Sequence, residues 1–130
     1  MGLTKAKEIT VTLNGFGTNL DGEVEYVSIG LPDTKEDEAT EIVTNKATYT
    51  DTEEKTGFEP WSKLEVFIDS EKAAYVDAVT AKEAGSTGTV SISGGGISIT
   101  KTAKISKVAG GEADAGGHMT SFTPTFTFLD

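Results

Sequence analysis

The stretch Ser-Phe-Thr-Pro-Thr-Phe-Thr-Phe at residues 121–128 alternates between hydroxyl-bearing and ring-bearing side chains. Because successive side chains of a strand point to opposite faces, this period of two predicts a strand with one face in a core. Phe126 and Phe128 are the expected core anchors. Pro124 has no amide hydrogen to donate, so we expect this strand to lie at an edge or to carry a bulge there.

The same period of two recurs along much of the chain. Apolar and polar residues alternate in several short runs, and turn-forming residues such as the glycines at 94–96 separate them. Strands are therefore predicted at residues 8–13, 23–29, 61–68, 90–92 and 97–105.

One segment, at about 70–84, has the spacing of a helix instead. Asp69 and Ser70 are suited to cap its first turn, and Gly85 is suited to end it. Glu71 would lie in the first turn, where the positive end of the helix dipole stabilises a carboxylate. The predicted apolar stripe consists of Ala73, Tyr75, Val76 and Val79.

Residues 31–60 are polar and weakly patterned, with strand character only from Ile42 to Thr50, and we expect a long loop or a mobile hairpin there. The whole pattern predicts a mainly β (α+β) fold. Two packed antiparallel sheets would form a sandwich or curled barrel, with one flanking α-helix at about 70–84 and a long polar loop at about 31–60. A chain of 130 residues fits a single domain, residues 1–130.

The charge balance argues against a nucleic-acid reader. The formal net charge is −10, and all 11 basic residues are lysines. Arginine recognises phosphate and base edges best, so this acidic chain is predicted to repel nucleic acid. The absence of cysteine excludes disulfides and thiolate metal sites. We find no apolar stretch that suits a signal peptide or a membrane span, and expect synthesis in the cytoplasm without membrane contact.

Residues that carry chemistry are sparse. His118 is the only histidine and lies in a glycine-rich stretch, where an exposed loop position is expected. The acidic run at 33–38 lacks the central glycine of a calcium loop and has Lys35 where an oxygen ligand belongs. Trp61 and nearby aromatics would suit sugar stacking but are more often core. We predict no catalytic residue, no cofactor site and no metal site.

The distribution of charge is more informative. Residues 33–41 contain five acids and one lysine, whereas residues 89–109 contain three lysines and no acid. In a regular strand Lys101 and Lys107 would share one face and Lys104 would lie on the other. We expect the acidic loop of one copy to contact the lysines of the next, a head-to-tail arrangement that builds rings and stacks. The predicted contact residues are Lys101, Lys104, Lys107, Asp33, Glu36, Asp37, Glu38 and Glu41.

The layout resembles the tail tube (major tail) proteins of tailed bacteriophages, and the related secretion-tube proteins of contractile injection systems. Four features carry the resemblance and together cover most of the chain. They are the early strand at 8–13, the polar excursion at 31–60, the helix that follows Leu64-Glu65-Val66-Phe67-Ile68, and a glycine-rich stretch before the terminal Ser/Thr-Phe strand.

The resemblance implies a structural protein of the virion tail, made in the host cytoplasm. Its copies would form rings, hexameric in this family, that stack into a hollow tube, with strands joining between subunits and the long loop ordering when one ring docks on another. Other tail proteins would be partners, and DNA would pass through the lumen without specific binding. The alternatives are a capsid decoration protein, a tail terminator, or an immunoglobulin-like or carbohydrate-binding module that uses Trp61.

Overall fold

The computed structural model describes residues 8–68, 72–111 and 121–129. Within these ranges the chain forms two antiparallel sheets and one helix, which confirms the predicted mainly β fold with a flanking helix. The elements are β1 (Thr10–Asn14), β2 (Gly22–Glu23), β3 (Tyr26–Ile29), β4 (Glu38–Val43), β5 (Thr48–Glu53), β6 (Leu64–Phe67), α1 (Ala73–Ala84), β7 (Thr87–Gly94), β8 (Ile97–Ala109) and β9 (Ser121–Phe128).

Seven strands form one curled antiparallel sheet in the order β2-β1-β7-β8-β9-β6-β3. Its two edge strands, β2 and β3, are consecutive in the chain, so the sheet curls until its edges approach each other without closing into a barrel. The chain passes from one edge to the other between Val24 and Glu25, which bond to different strands. The Val24 amide donates to the Val11 carbonyl over 2.8 Å, and the Phe67 amide donates to the Glu25 carbonyl over 2.9 Å.

This crossing divides the single strand predicted at 23–29. Val24 turns into the core, whereas Val27, in β3, is 58% exposed. The register between β3 and β6 also shifts between Tyr26 and Ser28. Alternation alone missed the division because both halves have strand-like composition.

The concave side of the sheet holds the core, and the period of two predicted for β1, β6, β7, β8 and β9 is confirmed. Apolar side chains from all five strands point inward, where they pack against one another and exclude water. The buried residues they contribute are Val11, Leu13, Leu64, Val66, Val90, Ile92, Ala103, Ile105, Phe122 and Phe126.

Pro124 does not lie in an edge strand, so that option of the prediction is wrong. β9 is interior, between β8 and β6. Its pairing with β6 includes Val66 opposite Phe122, and a further bridge joins Trp61 to Phe126. Pro124 lies midway between these two contacts. Alternate residues of a strand direct their amides to the same neighbouring strand, and the Phe126 amide donates to the Trp61 carbonyl. The position of the missing Pro124 N–H therefore faces the unpaired segment between Trp61 and Val66, and no ladder bond is lost.

The helix α1 lies within the predicted range and ends, as predicted, at Gly85, whose φ of 65° is left-handed. The predicted capping residues Asp69 and Ser70, with Glu71, lie outside the described residues. At 12 residues, α1 is too short to cross a membrane, and no other helix occurs in the described ranges.

Of the apolar stripe predicted for α1, Tyr75 packs against the core, but the prediction is wrong for Val76. Val76 is 58% exposed, and the buried positions are Ala78 and Ala81. The helix covers one end of the curled sheet, where Tyr75 packs edge-on against Phe122 with ring centroids 5.7 Å apart. Small alanine side chains allow this close approach, and Val76 is left at the surface.

Gly88 is a position in β7 where a side chain does not fit. It is buried, and a Cβ there would lie 2.8 Å from the Phe16 ring and against the Asn14 carbonyl oxygen. We expect Gly88→Ala to lower the free energy of unfolding by about 1–3 kcal/mol, because neither neighbour can yield without disturbing the core. Urea unfolding measures this. The control Ser93→Ala, exposed on the same strand, is expected to change stability by less than about 0.5 kcal/mol; equal effects would contradict the packing argument.

Candidate functional site

The middle of the predicted loop at 31–60 is a two-stranded hairpin, β4–β5. Six residue pairs form its ladder, from Glu38 opposite Glu53 to Val43 opposite Thr48. Every residue of both strands is exposed. A two-stranded ribbon with both faces in water is marginally stable by itself, because it buries no apolar surface. The hairpin therefore presents two uncovered faces.

The two faces of the hairpin differ in chemistry. Partners in an antiparallel ladder share a face, so the pairs can be assigned directly. The first, which we call the acidic face, consists of Glu38, Thr40, Ile42, Tyr49, Asp51 and Glu53; the second consists of Ala39, Glu41, Val43, Thr48, Thr50 and Thr52. On the acidic face the carboxylates lie towards the base, and the apolar pair Ile42 and Tyr49 lies at the tip.

The acidic face is electrostatically incomplete. Glu38 and Glu53 stand directly opposite each other, and like charges in that position destabilise a strand pair. Asp51 adds a third carboxylate on the same side. Lys55, which follows β5, forms an ion pair of 2.9 Å with Glu53 and offsets part of this charge. A cationic surface placed against this face would remove the repulsion.

The two segments that lead into and out of the hairpin are paired with each other. The Lys35 amide donates to the Gly57 carbonyl over 3.1 Å, and the Glu59 amide donates to the Asp33 carbonyl over 2.8 Å. The Asp33 carboxylate also lies 2.9 Å from the ammonium of Lys63, the residue before β6. These contacts fix the base of the hairpin, whereas the residues of its two strands are exposed.

The other predicted acidic contact residues are also at the surface. Glu36 and Asp37 precede β4, and Asp37 accepts a hydrogen bond of 2.9 Å from the Lys55 amide. Glu38 and Glu41 lie on opposite faces of the hairpin. All four are exposed. The acids are evident in the sequence, but their division between the two faces is not, because it depends on the pairing of β4 with β5.

The three predicted lysines lie on β8, but not divided between its faces as predicted. Lys101 stands opposite the buried Val90, on the concave side of the sheet, and its Nζ lies 5.9 Å from the centroid of the Phe58 ring. Lys104 and Lys107 are both exposed on the convex side. The prediction that Lys101 and Lys107 share a face is therefore wrong.

A bulge at Ser106 explains the difference. The register of β8 against β9 shifts there, so that an extra residue of β8 is accommodated and the alternation of its faces is reset. Lys104 consequently pairs with Thr127, and Lys107 with Thr125, at two positions on one face of β9. We call this convex surface (Lys104, Lys107, Thr125 and Thr127) the lysine face.

The described polar side chains near the core are engaged in structural contacts. Ser121, which is 7% exposed, donates to Glu65 over 2.6 Å, and Ser28 donates to the second oxygen of Glu65 over 3.3 Å. Both carboxylate oxygens thus tie neighbouring strands together. Among the described residues no cluster of acids or histidines is spaced to hold a metal ion, and His118 lies outside them.

An open groove of about 630 Å³ lies where the edges of the sheet nearly meet, lined by Ile9, Thr10 and residues 23–27. The Tyr26 hydroxyl donates to the Ile9 carbonyl over 2.6 Å, and burial raises the pKa of Tyr26 above its ordinary value of 10.0. This phenol therefore links the edge strand β3 to the residue that precedes β1.

Trp61 is a core residue. It is 1% exposed, its indole N–H donates to the Gly30 carbonyl over 2.7 Å, and its ring packs on Phe126. It presents no ring face for stacking on a sugar, which removes the feature that favoured a carbohydrate-binding module.

Comparisons of the chain with protein-family models, curated proteins and solved structures find no match. Function is therefore inferred from the surfaces of the molecule itself.

Proposed function

We propose that this chain is a tail tube subunit, a structural protein whose copies assemble into stacked rings around a conduit for DNA. The observation that carries the proposal is the β4–β5 hairpin, which is exposed on both faces and ends in apolar side chains. Such an element gains stability when another molecule covers it. The occupant we propose is a second copy of the same chain.

Charge complementarity supports a second copy. The acidic face of the hairpin and the lysine face of β8 and β9 belong to one molecule but lie on different elements. A contact between them uses the acidic face of one copy and the lysine face of the other, so the first copy keeps a free lysine face and the second a free acidic face. Contacts of this heterologous type close into rings or continue as stacks. Opposite potentials also guide the copies into register.

The overall charge suits a conduit. A net charge of −10 without arginine gives a surface that repels phosphate rather than binding it. DNA would then slide along the lumen. The resemblance to tail tube proteins supplies the rest of the proposal: hexameric rings, docking of one ring on the next, and contact with other tail proteins at the ends of the tube.

Electron microscopy of the purified protein tests this function. At high protein concentration, negatively stained samples are expected to contain rings and tubes of varying length, and sedimentation velocity should show a matching loss of monomer. Single rings that never elongate would favour a tail terminator instead. A protein that stays monomeric at every concentration and salt condition would contradict self-assembly.

Reversing the lysine face is expected to weaken assembly. The variant carrying Lys104→Glu and Lys107→Glu would place like charges against the acidic hairpin, and the loss should be larger at low salt, where screening is least. The glutamine variant at the same positions, which removes charge without reversing it, should give an intermediate effect. Sedimentation at two ionic strengths measures the change. Assembly that matches the wild type in both salts would rule out a role for these lysines.

A further inference from the structure

Two valines of α1, Val76 and Val79, are not part of the hydrophobic core. Val76 and Val79 are three residues apart and so lie on one side of the helix, yet Val76 is 58% exposed. Val79 lines a groove of about 310 Å³ between α1 and β8. The residues that line this groove, the α1–β8 groove, are Tyr75, Val79, Lys82, Glu83, Lys107 and Val108.

The α1–β8 groove combines apolar side chains with a small excess of positive charge. Its apolar residues are Tyr75, Val79 and Val108, and its charged residues are Lys82, Glu83 and Lys107. Because Lys82 Nζ lies 3.8 Å from the Glu83 carboxylate, these two charges offset each other and Lys107 supplies the excess. The volume is at the lower end of the range for ligand pockets, which leaves room for one or two side chains rather than a large molecule.

The tip of the hairpin matches this groove in chemistry. Ile42 and Tyr49 are 47% and 57% exposed and form an apolar cross-strand pair. Asp51 lies next to Tyr49 on the same face, nearer the base of the hairpin, and Glu53 follows it. The hairpin tip thus combines apolar side chains with carboxylates, and the groove combines apolar side chains with a lysine excess.

We infer that the α1–β8 groove receives the hairpin tip of a second copy, with Ile42 and Tyr49 against its apolar residues and Asp51 near Lys107. This inference rests on the proposed function and identifies the surface on which the hairpin docks. It also gives Val79 a role, because docking would remove its exposed area from water. Lys104, on the same convex side as Lys107, would extend the cationic track towards Glu53.

Cysteine cross-linking tests the contact, since the chain contains no cysteine of its own. The double variant Tyr49→Cys with Val79→Cys should form a ladder of covalent multimers on oxidation, because each copy offers one hairpin and one groove. The matched control, Tyr49→Cys with Ser93→Cys, places the second thiol at an exposed position of β7, away from the groove, and should give no ladder.

The outcomes separate this inference from the proposed function. A ladder from the first pair and none from the control supports docking in the groove. Normal tubes without a ladder overturn docking in the groove but leave the tail tube proposal standing, whereas wild-type protein that never polymerises overturns the proposed function itself.

Two further outcomes concern the occupant of the groove. A disulfide formed within one monomer would show that the hairpin of the same copy, rather than of a second copy, occupies it. Slow labelling of Val79→Cys in the monomer also overturns the second copy as occupant, because another segment of the same chain would then cover the groove.

Charge exchange provides an independent test. Asp51→Lys and Lys107→Glu should each raise the protein concentration needed for assembly about tenfold or more, because each places like charges in the contact. The double variant restores an opposite pair and should recover most of the loss. Effects that simply add, without recovery, would place these two residues in separate contacts and overturn their pairing.

Discussion

Replacement of residues 38–53 by a short glycine-serine turn is expected to abolish assembly while leaving the body of the protein folded. The residues of both replaced strands are exposed, and the segment contributes nothing to the core. The base survives, because the hydrogen bonds from the Lys35 amide to Gly57 and from the Glu59 amide to Asp33 lie outside the replaced segment. Shortening a surface loop changes closure entropy by only about 0.6 kcal/mol per twofold change in length.

Two measurements on this variant are needed. Thermal unfolding followed by circular dichroism should show a transition close to that of the wild type, and sedimentation velocity should show monomer at concentrations where the wild type polymerises. A control, Lys46→Gly in the turn, keeps both faces of the hairpin and should assemble normally. Polymerisation of the hairpin-less variant would show that copies associate through other surfaces.

Phe126→Ala is expected to destabilise the fold strongly, because it truncates a large side chain at the centre of the core. Phe126 is 0% exposed, and its ring packs against Phe16 and Trp61 with centroid separations of 5.5 and 5.7 Å. Truncation removes these contacts and leaves a cavity inside the curled sheet. We expect a loss of about 3–5 kcal/mol in the free energy of unfolding. Domains of this kind are stable by only about 5–15 kcal/mol, so the loss is a large fraction of the total.

Denaturant unfolding monitored by Trp61 fluorescence measures this effect. The matched control is Phe67→Ala, because Phe67 lies in β6 but is 42% exposed. Its truncation should cost less than about 1 kcal/mol. A Phe126→Ala variant that unfolds at the same denaturant concentration as the Phe67→Ala control would contradict the packing at the centre of the core.

The sequence was sufficient to predict a strand where one face of that strand is buried. In β1, Val11 and Leu13 alternate with exposed residues, and burial of one face leaves a clear period of two. The same rule found β6, β7, β8 and β9. It gave little signal for β4 and β5, because a strand exposed on both faces has no apolar side to reveal it.

The errors have a common physical origin in contacts between distant segments. The bulge at Ser106 depends on how β9 pairs with β8, so the shared face of Lys104 and Lys107 is not visible in local spacing. The buried side of α1 is set by the close approach of the sheet, which favours Ala78 over Val76 although valine is more apolar. Both errors concern surfaces. Correcting the first defines the lysine face, and correcting the second draws attention to the α1–β8 groove.

Amide hydrogen exchange of the hairpin, compared below and above the concentration of assembly, tests most directly whether copies of the chain cover it. In the monomer, amides of residues 38–53 should exchange rapidly, whereas those of the core strand β7 should be protected. Assembly should slow exchange throughout the hairpin and leave β7 unchanged. Hairpin amides that exchange equally fast in monomer and polymer would contradict the account.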